Sequence, residues 1–423
     1  MDNRELLVHS FHAAVAAADP LKILPQHLPA PPSGRTLVVG AGKAAASMAL
    51  ALEQHWPAGA PLEGLAITRY RHGLPTRRIR VIEAGHPVPD EAGEKAAKQV
   101  LRMARDLGSD DLLLALVSGG GSALLSLPVD GVSLEDLKTT TKELLRCGAP
   151  IQEINTVRKH LSAILGGRLA AACKANVLAL IISDVTGDDP AHIASGPCAP
   201  DPTTYADALD VLGRFGIQAP ETVHAHLERG ARGGIAETPK PGDRAFERVE
   251  NRVIATAQQS LRAASDFFHA HEIPAVVLGD SVTGEASEVA KVYAALVRQI
   301  VRHGEPHRRP VALLSGGECT VTVRGNGRGG RCSEFLLSLA IDLDRLPDVW
   351  ALACDTDGID GSEDNAGAVL APDSLARASA LGLDAKTLLA DNDGYGFFSR
   401  LDDLVVSGPT RTNVNDYRAI LIR

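Results

Sequence analysis

Several glycine-rich segments with charged neighbours have the residue types that bind anions. The first spans residues 40–45 (GAGKAA), between an apolar run and a helical pattern. Glycine lets the backbone turn sharply beside a ligand, and a helix N-terminus presents free N–H groups and a partial positive charge. Lys43 adds a full positive charge, so the segment predicts a phosphate or carboxylate site at Gly42 and Lys43.

A dinucleotide-binding turn is a competing interpretation of this segment, because its spacing fits G-x-G-x-x-A. The next apolar run ends in residues 67–70 (ITRY), without the acidic residue that usually binds the ribose of NAD. Arg69 would still suit NADP. A plain strand-to-helix turn with a solvated Lys43 is the third interpretation.

Two Ser-Gly-Gly segments follow other apolar runs. Residues 118–122 (SGGGS) sacrifice backbone entropy, which favours a role in close approach to a ligand, and their successive N–H groups could form an anion-binding nest. Residues 314–318 (LSGGE) repeat the pattern. Ligands of open α/β sheets bind past the carboxyl ends of strands, where both segments are expected.

An acidic segment at residues 183–190 (SDVTGDDP) follows another apolar run. Three carboxylates within six residues suit magnesium, which takes one or two carboxylates and leaves room for phosphate oxygens. Asp184 is the first candidate ligand and Asp188 the second. The alternative for Asp188 and Asp189 is a turn before proline.

A second acidic segment, residues 355–361 (DTDGIDG), superficially resembles a calcium-binding EF-hand. The required spacing fails because position twelve is Ala366 rather than glutamate. We therefore predict a turn that binds substrate or supports a metal at Asp355 and Asp357, with simple loop capping as the alternative.

A basic segment at residues 324–331 (RGNGRGGR) precedes a helical pattern. Three arginines on a backbone freed by four glycines offer bidentate donors and exposed amides, which suit phosphate or carboxylate. An RG-rich nucleic-acid segment is the alternative, but the acidic protein and the absence of interleaved aromatic residues disfavour it.

Short apolar runs that alternate with helical patterns are the elements that must position these segments, and they indicate parallel sheets with crossover helices. The predicted strands are residues 35–39, 65–68, 79–83, 111–117, 177–183, 252–255, 275–278, 311–314, 319–323, 350–353 and 418–422. The predicted helices are residues 43–54, 90–107, 134–146, 151–173 (broken at 166–167), 258–271, 286–302 and 332–343.

The predicted fold is therefore α/β with two domains. Residues 228–243 gain glycine, proline and charge, as an exposed linker does. We predict a Rossmann-like, doubly wound N-terminal domain over residues 1–235 and a C-terminal α/β domain over residues 236–423.

Composition narrows the class of protein. The chain has 423 residues, of which 45% are hydrophobic, enough for two ordinary cores. The net charge of -9 disfavours nucleic acid and anionic membranes as partners, which leaves small molecules. No run approaches the roughly 20 apolar residues of a membrane span. Six scattered cysteines without a C-x-x-C pair indicate reduced thiols, and we expect a cytoplasmic protein.

Taken together, many ordered segments resemble the glycerate 2-kinase family, which carries a C-terminal MOFRL domain and is often labelled hydroxypyruvate reductase. The matching segments lie between Val38 and Asp416. They are VVGAGKAAASMA, AGHPVPD, VSGGGSALL, EINTVRKHLS, ISDVTGDDPAHIASGP, LLSGGE, RGNGRGGR, DTDGIDGSEDNAGA and TNVND.

The resemblance implies transfer of the ATP γ-phosphoryl group to the 2-hydroxyl of D-glycerate, with the active site in the interdomain cleft and the MOFRL segment at about residues 308–416. Lys43 matches the lysine that the family uses near the transferred phosphate, and Arg331 matches its essential arginine. We expect Arg158 to bind the glycerate carboxylate, and ATP and Mg²⁺ to take part. The further substrate- or phosphate-binding residues that we expect are Gly42, Ser118, Gly119, Gly120, Gly121, Ser122, Gly316, Gly317, Glu318, Gly327, Arg328, Gly329, Gly330, Asp355, Asp357 and Asn413, with Asp184 and Asp188 as metal ligands.

Four positions depart from the family pattern. The family usually has Asn-Gln where Cys332 and Ser333 stand, Lys at Leu165 and Gly at Arg411. Substrate preference is therefore less constrained than reaction type. An NADPH-dependent hydroxypyruvate reductase and a non-catalytic sensor of sugar phosphates or nucleotides are the alternatives, and a homodimer is the assembly that we consider.

Overall fold

A computed structural model describes all residues, Met1–Arg423, as two compact units. The parallel-sheet unit comprises residues 20–254, and the mixed-sheet unit comprises residues 1–19 and 255–423. Each unit is built on its own six-stranded sheet.

The parallel-sheet unit has buried apolar strands between helices. Its strands are β1 (Thr36–Ala41), β2 (Leu62–Arg69), β3 (Ile79–Ala84), β4 (Leu112–Val117), β5 (Asn176–Ile182) and β6 (Val249–Ala255). Its helices are α2 (Pro20–Ile23), α3 (Ala45–His55), α4 (Glu91–Arg105), α5 (Gly121–Leu124), α6 (Leu134–Arg146), α7 (Ile151–His160), α8 (Arg168–Ala171), α9 (Tyr205–Arg214) and α10 (Glu221–Ala231).

The strand order of this sheet is β3-β2-β1-β4-β5-β6, the order of a doubly wound Rossmann sheet. Strands β1 to β5 pair in parallel, with Thr36 of β1 opposite Leu62 of β2 and Leu112 of β4. The predicted N-terminal fold is confirmed. The chain reverses its direction of winding between β1 and β4, and such a switch point opens a ligand crevice at the carboxyl ends of the strands.

The mixed-sheet unit also has α/β architecture, with mostly antiparallel pairing. Its strands are β7 (Ala275–Gly279), β8 (Val311–Ser315), β9 (Val349–Asp355), β10 (Gly367–Leu370), β11 (Leu404–Val405) and β12 (Asp416–Ile422), in the order β11-β10-β9-β12-β8-β7. Its helices are α1 (Asn3–Ala16), α11 (Ala257–Ala270), α12 (Ala286–His303), α13 (Arg331–Leu343), α14 (Ser374–Ala380), α15 (Ala385–Ala390) and α16 (Gly394–Arg400).

Strand β12, an inner strand of this sheet, begins where its two neighbouring strands end. It pairs antiparallel with both β8 and β9, so its first residue lies at their carboxyl ends. Asp416 is opposite Asp355, and Arg418 is opposite Ser315. Charged side chains of β9 and β12 therefore meet at this end of the sheet, next to Ser315 of β8.

The division of the chain differs from the predicted domain limits. Strand β6 lies at the edge of the first sheet, beside β5, so that unit extends to Ile254 rather than residue 235. Helix α1 packs on α11 in the mixed-sheet unit, where Leu7 and Phe11 are fully buried. Both differences arise from tertiary packing. The predicted limits came from the composition of a linker segment, which carries no information about that packing.

Some predicted elements are wrong. Residues 319–323 form no strand, because the Glu285 carboxylate accepts the Thr322 N–H at 2.7 Å and leaves only one isolated bridge, at Thr320. The helix predicted over residues 151–173 ends at His160, before its expected break. Strands β10 and β11 were not predicted, because runs of four and two residues carry little periodic signal.

All six cysteines are free thiols. None of the helices combines the length and the apolar character that crossing a membrane requires.

Candidate active site

The loop after β1 lies against the loop after β4 at the switch point. The Lys43 N–H donates to the Gly119 carbonyl at 2.8 Å, and the Ala44 N–H donates to Ser118 Oγ at 3.0 Å. The Gly42 N–H donates to the Ile67 carbonyl at 3.1 Å. A dinucleotide-binding turn needs these amides for pyrophosphate, and here the protein itself uses them.

Three amides of the loop after β4 have no acceptor within the protein. The N–H groups of Gly119, Gly120 and Ser122 donate no hydrogen bond within the protein. Gly120 has a φ of +80° and forms the N-cap of α5, a conformation that favours glycine. Adjacent unbonded amides of this kind form an anion-binding nest.

Lys43 and His86 lie beside this nest. A methyl group on Gly120 would lie 3.5 Å from Lys43 Cγ and only 2.8 Å from His86 Nε2. Glycine at this position therefore lets a cationic side chain and an imidazole approach the free amides. His86 carried no ligand spacing in the sequence, and its position by the nest appears only in the structure.

Gly42 packs closely against the loop after β4. Its φ is +134°, and an added Cβ would overlap Ser118 Oγ and lie 2.5 Å from the Ser118 carbonyl oxygen. Gly42 therefore lets this loop approach the loop that carries the nest, and its contact with phosphate stays a prediction.

A buried polar network supports the far side of the nest. Ser122 Oγ lies 2.8 Å from Ser195 Oγ, and Ser195 Oγ donates to Asn155 Oδ1 at 3.1 Å. Ala194 and Ser195 have φ of 50° and 57°, in the left-handed region that costs a non-glycine residue about 1–2 kcal/mol. Gly121 makes room for this strained turn, since a Cβ there would lie 2.6 Å from Ala194 Cβ. Backbone strain of this kind clusters at functional sites.

Arg158 is a largely buried cation without an ion pair. Burial lowers its pKa to about 10, and no carboxylate offsets that effect. Its side chain lines a small cavity of about 20 Å³ together with Ser122, Thr141, Ser162 and Leu165. Such a cavity admits about one water-sized group, such as a single carboxylate oxygen.

The acidic segment after β5 lies at the same edge of the sheet. Asp184 is the second residue after that strand, while Asp188 has a φ of 54° and its N–H donates to the Val185 carbonyl, as in a turn. The structure gathers no group of three or more His, Cys, Asp or Glu side chains that could hold a metal ion. Magnesium bound through one or two carboxylates and phosphate oxygens does not need such a group.

Arg331 begins α13 and is bound by three carboxylates. Its guanidinium contacts Asp416 Oδ1 at 2.7 Å, Asp355 Oδ2 at 2.7 Å and Glu318 Oε1 at 3.2 Å. Burial lowers the pKa of Arg331, but these three carboxylates outweigh burial and hold the pKa well above its usual value. The three carboxylates fix the cation in place. Its side chain is 22% exposed, so solvent still reaches it.

The residues around Arg331 are hydrogen-bonded to one another. Arg418 is fully buried, donates to Asp416 Oδ2 at 2.6 Å and to the Gly316 carbonyl at 3.1 Å. Gly317, with a φ of +100°, passes against Val282, where a side chain would not fit. The predicted residues Gly316, Gly317 and Glu318 therefore shape the surroundings of Arg331.

The acidic turn after β9 is buried and internally bonded. Asp355 Oδ1 accepts the Asp357 N–H at 2.9 Å, and Asp357 Oδ1 accepts the Ile359 N–H at 2.8 Å. Asn413 is 4% exposed, and its Oδ1 accepts the Asn415 N–H at 3.3 Å. These contacts give the three predicted residues clear structural roles, and ligand binding by them stays a prediction.

The expectation of exposed amides in the basic segment is wrong. Asp391 Oδ1 accepts the Asn326 N–H at 2.9 Å, and the Asp391 carbonyl accepts the Gly327 N–H at 2.8 Å. Asp393 Oδ1 accepts the Arg328 N–H at 3.1 Å. The acidic turn at residues 391–393, distant in sequence, thus occupies the backbone donors that we assigned to a ligand.

Other residues of the basic segment also make contacts within the protein, and ligand binding by them stays a prediction. Arg328 contacts Glu363 at 3.5 Å and lies over the Tyr395 ring. Gly329 has a φ of +144°, and Gly330 lies against Asp360. Of the three arginines in the segment, Arg331 is the one held at the sheet edge.

Asp360 is a positioning residue that the sequence did not reveal. Its buried carboxylate accepts the N–H groups of Cys332 and Ser333 at 2.9 and 2.8 Å, which caps α13. Burial raises the pKa of Asp360. Since Arg331 is the first residue of α13, this cap fixes the helix end that carries it.

The four positions that depart from the family pattern lie in different environments. Leu165 is 3% exposed and lines the Arg158 cavity, and Cys332 is fully buried. Ser333 Oγ contacts the N–H and the carbonyl of Gly330. Arg411 has a φ of 60°, a left-handed conformation that suits the glycine usual in the family.

A doubly wound sheet with an anion nest beside a lysine at its switch point has the features of an α/β enzyme that binds anionic small molecules. Comparison with known proteins gives the family. A domain of unknown function (DUF4147) matches residues 6–228, and the MOFRL family matches residues 311–416. The glycerate 2-kinase of Pyrococcus horikoshii is 39% identical over 430 residues, which cover 98% of this chain and 96% of that protein. The chain belongs to the glycerate kinase family.

Two further relatives agree on the extent of the likeness. The crystal structure of glycerate kinase from Thermotoga maritima superposes with a TM-score of 0.87 at 37% identity and covers 99% of both chains. A protein of Agrobacterium vitis is 49% identical over 422 residues, which cover 99% of this chain and 94% of that protein. Its name assigns it provisionally as a hydroxypyruvate reductase.

Proposed function

We propose that this protein is a glycerate 2-kinase that transfers the γ-phosphoryl group of ATP to the 2-hydroxyl of D-glycerate. The observation that carries the proposal is the set of unbonded amides at Gly119, Gly120 and Ser122, next to Lys43 at the switch point. The likeness to kinases over nearly the whole chain supports it. Six free cysteines fit a reducing compartment, so we place the reaction in the cytoplasm.

The chemistry of phosphoryl transfer suits these groups. Little covalent help is needed, because positioned cations and amides stabilise the charge on the transferred phosphoryl oxygens. We propose that the nest binds one anionic group and that Lys43 neutralises the moving phosphoryl group. We also propose Arg331 as the essential arginine that the family resemblance implies. Asp184, with Asp188 as the second candidate, would hold Mg²⁺, which supplies further neutralising charge when bound.

A direct assay tests the reaction. The protein is incubated with MgATP and D-glycerate, and the products are followed by phosphorus NMR. We expect a new 2-phosphoglycerate resonance that grows with ADP. Intact ATP across a range of pH and magnesium concentration would contradict the proposal.

Lys43 gives the sharpest mutational test. We expect Lys43→Ala to lower kcat more than tenfold, since each factor of ten corresponds to about 1.4 kcal/mol of transition-state stabilisation. Steady-state kinetics with Lys142→Ala as control, an exposed lysine of the same unit, should leave kcat within twofold. If Lys43→Ala keeps more than about a tenth of kcat, Lys43 has no role as a transition-state cation.

Arg158 tests the acceptor. Its unpaired guanidinium beside Ser122 predicts contact with the glycerate carboxylate, and a charge-assisted bond is worth about 1.5–3 kcal/mol. Arg158→Ala should therefore raise KM for D-glycerate roughly tenfold or more and leave KM for ATP nearly unchanged. Arg158→Lys should recover part of the loss, because it keeps the charge without the bidentate fork. An equal rise in both KM values would show a general loss of structure instead.

The reductase alternative rests on the name of a relative and on the spacing of residues 40–45. The occupied amides of Gly42, Lys43 and Ala44 count against a dinucleotide at that turn. The reductase predicts loss of nicotinamide absorbance with hydroxypyruvate in the absence of ATP, and a sensor predicts binding without turnover. Both assays use the same preparation as the kinase assay.

A further inference from the structure

A large cavity lies within the parallel-sheet unit, apart from the small cavity beside Arg158. Its volume is about 1310 Å³, and its walls come from α4, residues 127–132, α8, α10 and residues 235–239. None of its lining residues belongs to the loops at residues 40–45, 118–122 or 183–190. Ligand cavities usually measure about 300–1,000 Å³, so this one has room for a metabolite.

A stripe of four cations lines one wall. Lys95, Lys98, Arg102 and Arg105 follow one another on α4 at spacings of three and four residues, which places them along one helix face. Lys95 pairs with Glu91 at 2.9 Å, whereas the other three make no ion pair. Like charges at this spacing repel each other by a few tenths of a kcal/mol per pair, a cost that an anion in the cavity would offset.

The other walls also favour an anion. Arg168 and Arg229 line the cavity and bring its cations to six, against the three acidic residues Glu94, Asp130 and Glu237. Glu237 is already bonded to Lys240 at 3.2 Å. With Lys95 and Glu237 both set aside as paired, five cations face two acidic residues, so the surplus of three positive charges remains.

Two buried polar groups in the wall lack partners. His226 is 7% exposed, and neither of its ring nitrogens makes a hydrogen bond of acceptable geometry. Arg168 donates to Tyr205 Oη at 3.2 Å, but its buried Nε has no acceptor. Since buried polar groups are nearly always hydrogen-bonded, these two groups show that the protein does not fully satisfy the polar side chains of this wall.

We propose that this cavity binds an elongated organic anion with at least two phosphate or carboxylate groups, at a site distinct from the glycine-rich loops. The cations of α4 span ten residues, about 15 Å at about 1.5 Å per residue, which is more than one phosphate covers. Leu101, Leu127 and Ile235 supply apolar surface for the carbon skeleton. The proposal does not depend on the reaction at the switch point.

Equilibrium dialysis with radiolabelled pyrophosphate tests the site in the full-length protein. We expect Lys98→Ala/Arg102→Ala to weaken pyrophosphate binding at least tenfold. The matched control Lys142→Ala/Arg244→Ala, which removes the same charge from exposed positions of the same unit outside the cavity, should change it less than twofold. Equal effects of the two double variants would overturn the proposal, since they would show only nonspecific attraction.

A second measurement locates the bound probe. Hydrogen–deuterium exchange should show protection by pyrophosphate in α4 and residues 226–237, and this protection should persist in Lys43→Ala. Protection confined to residues 118–122, or abolished by Lys43→Ala, would assign the binding to the switch point and refute a separate site. Failure of the kinase assay would leave both measurements unaffected.

Discussion

At the residue scale, Gly42 shows how one missing side chain allows two loops to meet. Gly42→Ala adds a Cβ that overlaps Ser118 Oγ, on a backbone with φ of +134°. Strain and overpacking each cost about 1–3 kcal/mol, so we expect the free energy of unfolding to fall by more than about 2 kcal/mol in urea titrations, with loss of activity. The control Gly59→Ala, which has no atom within 4 Å of the added Cβ, should stay within about 0.5 kcal/mol. Equal urea midpoints would contradict this account.

Only some of the candidate site residues can be predicted from the sequence. The local sequence pattern predicts Lys43 and residues 118–122, because each lies within one short segment at a strand end. Asn155 and Ser195 are not, because a contact between residues 40 positions apart leaves no local pattern. The prediction for the basic segment was wrong for the same reason. Its glycines predict free amides, but the turn at residues 391–393, distant in sequence, supplies acceptors for them.

At the element scale, the cap of α13 determines where Arg331 lies. Asp360→Ala leaves two buried amides without an acceptor, each of which costs about 1–3 kcal/mol, so we expect a loss of roughly 2–6 kcal/mol in chemical denaturation. Asp360→Asn keeps one acceptor oxygen and should lose less. Asp384→Ala, at the exposed N-cap of α15, should cost only about 1 kcal/mol. A loss no greater than that of Asp384→Ala would show that the α13 cap is not a special contact.

The elements themselves were predictable where they are long or buried. Strands β1 to β5 were predicted within a few residues, because continuous apolar runs between helical patterns are typical of a parallel sheet. Residues 319–323 alternate as a strand does, yet Glu285 takes the place of a neighbouring strand. The pairing of β6 with β5 likewise depends on tertiary contacts rather than on its own sequence.

At the scale of the whole molecule, the order of the chain and the division into units do not coincide. The first helix completes the unit that contains the last strand: Tyr417 Oη contacts Ser10 Oγ at 2.8 Å, and Thr412 Oγ1 donates to the Ala18 carbonyl at 2.7 Å. A prediction that reads domains along the chain assigns α1 to the wrong unit. The stability of the mixed-sheet unit must therefore depend on residues at the opposite end of the sequence.

Phe11→Ala tests this dependence. Phe11 is fully buried with Leu261, Phe268 and Leu352, so its loss should cost about 3–5 kcal/mol. Since compact units open separately, native-state hydrogen exchange should accelerate at amides of β9 and β12 and stay nearly unchanged in β1 and β4. Val292→Ala, at an exposed position of the same unit, should leave both sheets unchanged. Equal acceleration in β1 and β4 would show that the two sheets open as one cooperative unit, and α1 would then stabilise the whole protein rather than one half of it.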